Sequence, residues 1–296
     1  MSGRRRAGGG AAAAVAVAGV AAALAPARSW AQGVGDLPMR AADRGYVAVY
    51  GVFSASPQDR EVSTFHVAPQ IAAGVRLNGW LTATADVTAA WTTFQVEGEA
   101  RRSSFRFGNP FVTVQAALLE EEKRGIHAGL GLAPPLTTFP GTIPVNTEVE
   151  YNYAVAAAAR GFGDPWLWAP NVIPIALLLR GRAELEAPVV LGASLDPAVL
   201  LSVSSNPSRL SLSAAAYAGA RLGWLTPGLR VQMMAQSAPL AGRDFAQWAA
   251  VVYANAELDA VFVRSQLAVN LDAPFGLAGQ RGATVWGATV GGGARL

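Results

Sequence analysis

Side chains along most of this 296-residue chain alternate between apolar and polar with a period of two. Leu81, Ala83, Ala85, Val87, Ala89 and Trp91 alternate with Thr82, Thr84, Asp86 and Thr88. Phe65, Val67, Ile71, Ala73, Val75 and Leu77 alternate with His66, Gln70 and Arg76. Val261, Val263, Leu267, Val269 and Leu271 alternate with Arg264, Gln266, Asn270 and Asp272, and the pattern recurs around 173–186 and 229–236. Successive side chains of a strand point to opposite faces, so each segment has one nearly charge-free face and one polar face. The segments exceed the ~5–6 residues of an ordinary strand and suit the ~9–11 that a tilted strand needs to cross a bilayer.

Twelve such segments are predicted, near 45–53, 65–77, 80–91, 110–119, 125–132, 171–186, 188–203, 210–222, 228–237, 246–257, 260–272 and 283–296; Pro197 implies a break or bulge in the seventh. Connections after the even-numbered segments are short, among them Asn78-Gly79 and Leu258-Asp259, and Asn-Gly is a strong hairpin signal. Connections after the odd-numbered ones are mostly longer, the longest spanning 133–170. A soluble sandwich gives no reason for loop length to alternate. A transmembrane barrel of the bacterial outer membrane does, with turns in the periplasm and loops outside. The expected fold is therefore all-β: a transmembrane antiparallel up-and-down β-barrel of about 12 strands. Phe65, Trp91, Trp248 and Trp286 then fall at outer strand ends and Tyr46 and Trp224 at periplasmic ends, as an aromatic girdle on the lipid face.

The N-terminus is read as an address. Arg4, Arg5 and Arg6 precede fifteen small or apolar residues, Ala11 to Ala25, and Ser29-Trp30-Ala31 offers small residues at −3 and −1 of a cut. That is the pattern of a secretory signal peptide; an uncleaved anchor would need ~20 apolar residues. The domains expected are 1–31 signal peptide, 32–44 periplasmic N-terminal segment and 45–296 transmembrane β-barrel. Cleavage removes four arginines and no acid, which turns a formal charge of +3 into −1. The basic balance of the whole chain therefore gives no reason to expect nucleic acid as a partner.

Composition narrows the chemistry further. Without cysteine the chain has no disulfide, thiolate metal ligand or thiol nucleophile, and only His66 and His127 offer imidazole. No nucleophile elbow, phosphate loop, dinucleotide fingerprint or metal-ligand cluster is present, so no catalytic residue, metal or cofactor is assigned and the chain is not read as an enzyme.

The polar face supplies the candidate functional residues. Arg76, Asp86, Arg180, Arg182, Glu184, Arg221, Arg230, Glu257 and Arg264 are the candidate lumen-lining set, with the arginines in the periplasmic half. Two readings stay open: an arginine ring that favours anions in a water-filled passage, or Arg–Glu pairs that fill and brace the barrel. Within the longest loop, residues 146–161 leave the two-residue period. Thr147 and Glu150 fit a capping box, Val155 to Ala159 form a helix-favouring run, and Gly161 ends it. The helix expected in this extracellular loop either folds into the lumen as a constriction or lies over the mouth. Phe107-Gly108-Asn109-Pro110 and Phe162-Gly163-Asp164-Pro165 are each expected to be a turn re-entering the wall from outside.

With these features the chain resembles the outer-membrane β-barrels of Gram-negative bacteria over its whole mature length. On the two Gly-Asn/Asp-Pro motifs it is similar to the phenol-degradation (MetA-pathway) and fatty-acid-transporter-like channels. The C-terminal Ala294-Arg295-Leu296 departs from the terminal Phe or Trp of such barrels. The resemblance implies residence in the outer membrane after cleavage near Ala31. It also implies contact with membrane lipid and lipopolysaccharide, and handling by the barrel-assembly machinery. The implied function is passive or facilitated passage of a small-molecule solute, hydrophobic ones included. The alternative is a closed structural or surface-binding barrel.

Overall fold

The structure, a computed structural model, describes residues 43–55, 62–96, 98, 100–121, 123–137, 147–185, 188–204, 207–237, 246–272 and 285–296. The expected signal peptide and most of the 32–44 segment lie outside the described residues.

Thirteen strand segments form one antiparallel sheet that closes on itself. They are β1 (Gly45–Ala55), β2 (Val62–Arg76), β3 (Leu81–Val96), β4 (Arg102–Phe107), β5 (Phe111–Glu120), β6 (Arg124–Leu132), β7 (Val172–Glu184), β8 (Val189–Ser202), β9 (Arg209–Ala220), β10 (Leu225–Gln236), β11 (Ala246–Leu258), β12 (Val261–Asn270) and β13 (Trp286–Arg295). Each pairs with its sequence neighbours except that β4 and β5 both pair with β3 and not with each other, and β1 pairs with both β2 and β13, so the sheet closes into a barrel. Closure is what allows a sheet to cross a bilayer, because every backbone N–H and C=O facing hydrocarbon must be satisfied within the wall. At the seam Arg44 N donates to Leu296 O (2.7 Å) and Leu296 N to Gly45 O (2.9 Å), so the start of β1 and the end of β13 meet on the side of the short turns.

Thirteen segments make twelve wall strands because β4 and β5 are two halves of one. β3 pairs with β4 from Ala89↔Phe107 and with β5 from Asp86↔Phe111. Gly108, Asn109 and Pro110 thus stand opposite only Val87 and Thr88, three residues against two, and one extra residue on one strand is the mark of a β-bulge. This corrects the expectation that Phe107-Gly108-Asn109-Pro110 is a turn entering from outside. The wall continues above it through β4, a segment whose short alternation at 102–107 is too weak to read alone.

The alternation maps onto the two faces. Val49, Val52 and Phe53 show the rule within β1: Val49 and Phe53 are exposed on the outside, while Val52 is buried inside. The outer face carries Ile71, Val87, Val112, Leu130, Leu229, Val252, Leu267 and Val290, an exposed apolar band, as lipid-facing residues require. Phe65, Trp91, Trp224, Trp248 and Trp286 lie on this face, and the Phe65 and Trp91 rings meet edge-on at 6.2 Å.

Tyr46 does not join them, and the girdle expectation is corrected there. Its parity is that of Ala48, Tyr50 and Val52, so the ring is buried inside, edge-on to Phe262 at 6.4 Å and over the bare backbone of Gly74. Tyr253 lies over Gly228 and Tyr217 over Gly192 in the same way. Each aromatic ring fills the space that a missing side chain leaves on the neighbouring strand, which pins the register of a sheet rich in glycine.

Candidate functional site

The interior is built in three levels. At the end of the short turns, inward charges pair. Arg221 Nη1 lies 2.8 Å from Glu184 Oε2 and Arg76 Nη1 3.7 Å from Glu120 Oε2. Arg295 binds Glu257 and lies 3.4 Å from Asp43, with its guanidinium over the Phe262 ring. Arg182 lies against Gly125, where a β-carbon would come 2.8 Å from its Nε. Bracing by paired charge therefore describes this level, and Arg76, Glu184, Arg221 and Glu257 belong to it.

At the opposite end the lumen holds a segment of chain. Helix α1 (Thr147–Ala159) lies inside the barrel against β1 to β4, β12 and β13. Among its described residues Tyr153 and Val155 to Ala159 are all buried. Its C-terminal part, Val155 to Ala159, is apolar and small all round and has no face to give to water, so it goes where it is enclosed. It ends in a Schellman turn: Phe162 N donates to Ala157 O (3.0 Å) and Gly161 N to Ala158 O (2.8 Å), with Gly161 at φ +59°. Of the two positions left open by the sequence, the structure has the helix in the lumen. The side chains of Thr147 and Glu150, expected to form a capping box, lie outside the described residues.

After the helix, residues 160–169 form a wedge with a single 3-10 turn at Pro165–Leu167. Phe162, Trp166, Leu167 and Trp168 are buried in one apolar cluster with α1 and with inward residues of the wall, including Val52, Phe111, Leu178, Leu200 and Met234. Trp166 stacks on Phe111 at 6.3 Å. The polar pattern of the inner face gives way to apolar side chains at this level because the wall faces protein there, not water.

The wedge is fastened to the wall by polar side chains. Asn109, fully buried in the bulge, donates through Nδ2 to Trp166 O (3.1 Å) and Ala169 O (2.8 Å), and its Oδ1 accepts from Thr137 N (2.8 Å) and Thr137 Oγ1 (2.7 Å). Its backbone N donates to Leu167 O (2.8 Å). Gly108 has to be glycine, since a β-carbon would stand 2.8 Å from Leu167 O. The two motifs found in the sequence thus meet: the first is the wall bulge that grips the 3-10 turn, and the residues just after it, that the second leads into. Gln232 donates to Arg160 O (3.0 Å) and Gly161 O, Asn270 to Ala158 O (2.9 Å), and Asn152 of the helix to Ser104 O (2.8 Å). Arg160 Nη2 pairs with Asp164 at 2.7 Å and Nη1 reaches Gln70 Oε1, while Gln70 Nε2 donates to Asp86 at 2.8 Å.

Between the wedge and the paired charges lies the third level, a cavity of ≈ 100 Å³. Arg180, Arg230, Arg264 and Asp86 of the expected lumen set line it, with Arg160 and Asp164 of the wedge. Tyr50, Phe111 and Trp166 supply apolar surface. Arg230 Nη2 donates to Gln266 Oε1 at 2.7 Å, and Gln266 in turn to Thr289. Asn109, Gln232, Asn270, Arg160 and Gln70 were not singled out as anchors, and only the paired Gly-Asn/Asp-Pro motifs hinted at them.

His66 is buried on the inner face with Nδ1 2.7 Å from Thr92 Oγ1. Among the described residues no three His, Asp or Glu side chains gather as a metal cluster.

No protein-family model matches the chain, and no curated protein does. Solved structures share its fold. An outer membrane channel from Pseudomonas putida F1 aligns over 92% of this chain and 100% of its own at 12% identity, TM-score 0.58. The NanC porin aligns over 84% of this chain and 100% of its own at 6% identity, TM-score 0.53. The transport unit of the autotransporter AIDA-I from Escherichia coli aligns over 88% and 93% at 9% identity, TM-score 0.50. At such identities the likeness is one of fold: a closed outer-membrane-type barrel that takes up the whole described chain.

Proposed function

We propose that the chain is an outer-membrane channel for passive, facilitated passage of small molecules, hydrophobic ones included, selected by shape and charge at an internal constriction. The observation that carries this reading is the wedge. A barrel needing only stability could fill its lumen with wall side chains, but here a 23-residue stretch (147–169) enters the lumen and is fastened through side-chain amides above a polar cavity. Each such bond contributes only ~0.5–1.5 kcal/mol net, because water replaces it once the segment moves away, so the segment can yield without loss of the wall. Shared fold with outer membrane channels supports the same class. The chain would reside in the outer membrane of a Gram-negative cell after cleavage near Ala31, inserted by the barrel-assembly machinery among lipid and lipopolysaccharide.

A closed structural or surface-binding barrel is the second reading, favoured by the apolar packing of α1 and the wedge across the lumen. Planar-bilayer conductance of the refolded protein separates the two. Stepwise conductance supports the channel. Silence from a barrel whose gel mobility is heat-modifiable supports the closed form.

A further inference from the structure

We propose that the cavity beneath the wedge is a binding site for a small organic carboxylate, which makes such anions the solute class of the channel. The lining is asymmetric in charge. Four arginines face it, Arg160, Arg180, Arg230 and Arg264, against the two aspartates Asp86 and Asp164. Asp164 is engaged by Arg160 through both Nε (3.0 Å) and Nη2 (2.7 Å), and Asp86 accepts from Gln70. Over the lining as a whole the formal excess is positive, and Arg180, Arg230 and Arg264 come from β7, β10 and β12, three separate strands that meet at one cavity. Like charges brought together away from bulk water repel, and an anion between them reverses the sign of that interaction. Guanidinium is suited to this, because its planar fork meets both oxygens of a carboxylate.

The rest of the lining is not what an inorganic ion needs. Tyr50, Phe111 and Trp166 bring ring surface to the same space, the last two stacked on each other. A ligand with a charged head and an apolar body satisfies both halves, whereas phosphate or chloride satisfies one. The wedge supplies Arg160, Asp164 and Trp166, so a bound carboxylate touches the segment that obstructs the lumen as well as the wall. As a statement about transport this rests on the channel reading; as a statement about binding it is read separately.

Isothermal titration of the detergent-refolded full chain with benzoate, benzamide and inorganic phosphate tests the site. Benzoate should bind at least about tenfold more tightly than its neutral isostere, the factor expected when charge-assisted hydrogen bonds are lost. It should also bind more tightly than phosphate. The double variant Arg230→Gln, Arg264→Gln should abolish the preference over benzamide. Equal binding of benzoate and benzamide by the wild-type protein, no binding of either, or phosphate matching benzoate would each overturn the site whatever the variant does. Conductance in potassium chloride alone is recorded on the same preparation. A conducting barrel that ignores benzoate rejects the site and leaves the channel standing. A silent barrel that binds benzoate rejects the channel and leaves the site.

Discussion

Asn109→Ala should release the wedge and leave the barrel intact. In the structure the Asn109 carboxamide makes four hydrogen bonds: two donated to Trp166 O and Ala169 O, and two accepted from Thr137 N and Oγ1. Truncation does not orphan all four partners. Thr137 Oγ1 also reaches Ala169 O at 2.8 Å, so the hydroxyl and that carbonyl keep each other. Thr137 N–H and Trp166 C=O lose the bonds that held them. An unsatisfied buried group costs roughly 1–3 kcal/mol, so the docked wedge is weakened by about 2–6 kcal/mol in total. The middle of that range, ~4 kcal/mol, shifts the docked-to-undocked ratio about a thousandfold. The wall ladder uses none of these side-chain bonds, and β3 keeps its pairing to β4 and β5. Asn109→Asp is the stricter companion, since it keeps the acceptor and aims a second oxygen at two carbonyls. The assay is single-channel recording with tryptophan emission on the same preparation, because Trp166 and Trp168 are buried within the wedge. Longer or larger openings with red-shifted emission are expected, at unchanged heat-modifiable gel mobility. Wild-type emission and conductance in both variants would refute the claim that this carboxamide holds the segment down.

Three further outcomes follow from the same geometry. Joining wedge to wall through Gly161→Cys and Ala268→Cys places the β-carbons at 3.3 Å, a few tenths of an ångström inside the usual disulfide separation and at a left-handed backbone position that costs the cysteine ~1–2 kcal/mol; oxidation should reduce conductance and reductant restore it, in a chain with no other cysteine to confuse the result. Glu257→Ala removes the nearer of the two acids on the buried Arg295, Asp43 remaining at 3.4 Å, and loss of that charged hydrogen bond should lower stability by about 1.5–3 kcal/mol, read as a drop in the urea midpoint of the bilayer-inserted protein. On the outer face, Val252→Arg in the middle of β11 should cost ~2–4 kcal/mol in the same titration. A shift below 0.5 kcal/mol, on the order of an ordinary surface substitution, would argue that this residue does not face lipid.

The sequence by itself determined the wall. Period two over long segments, alternating loop lengths and parity at the strand ends are local properties, and a strand side chain has only two faces to choose from. Leu267 had to point outward once Arg264 and Gln266 pointed in. Tyr46 shows where that logic was misapplied, since its position at a strand end suggested a girdle while its parity with Ala48 and Tyr50 already put it inside. The interior was decided only by the tertiary structure. Whether Val155 to Ala159 covers the mouth or enters the lumen depends on wall positions brought together from six strands, and no pattern in the helix alone records them. The bulge at Gly108 to Pro110 reads locally as a turn; it becomes a clamp because Trp166 and Ala169, some sixty residues later, present carbonyls to Asn109. Likewise Arg180, Arg230 and Arg264 are lumen residues by parity, but their sharing of one cavity is set by barrel closure. Alternation says which way a side chain points, and closure of the sheet and the chain threaded through it decide what stands opposite.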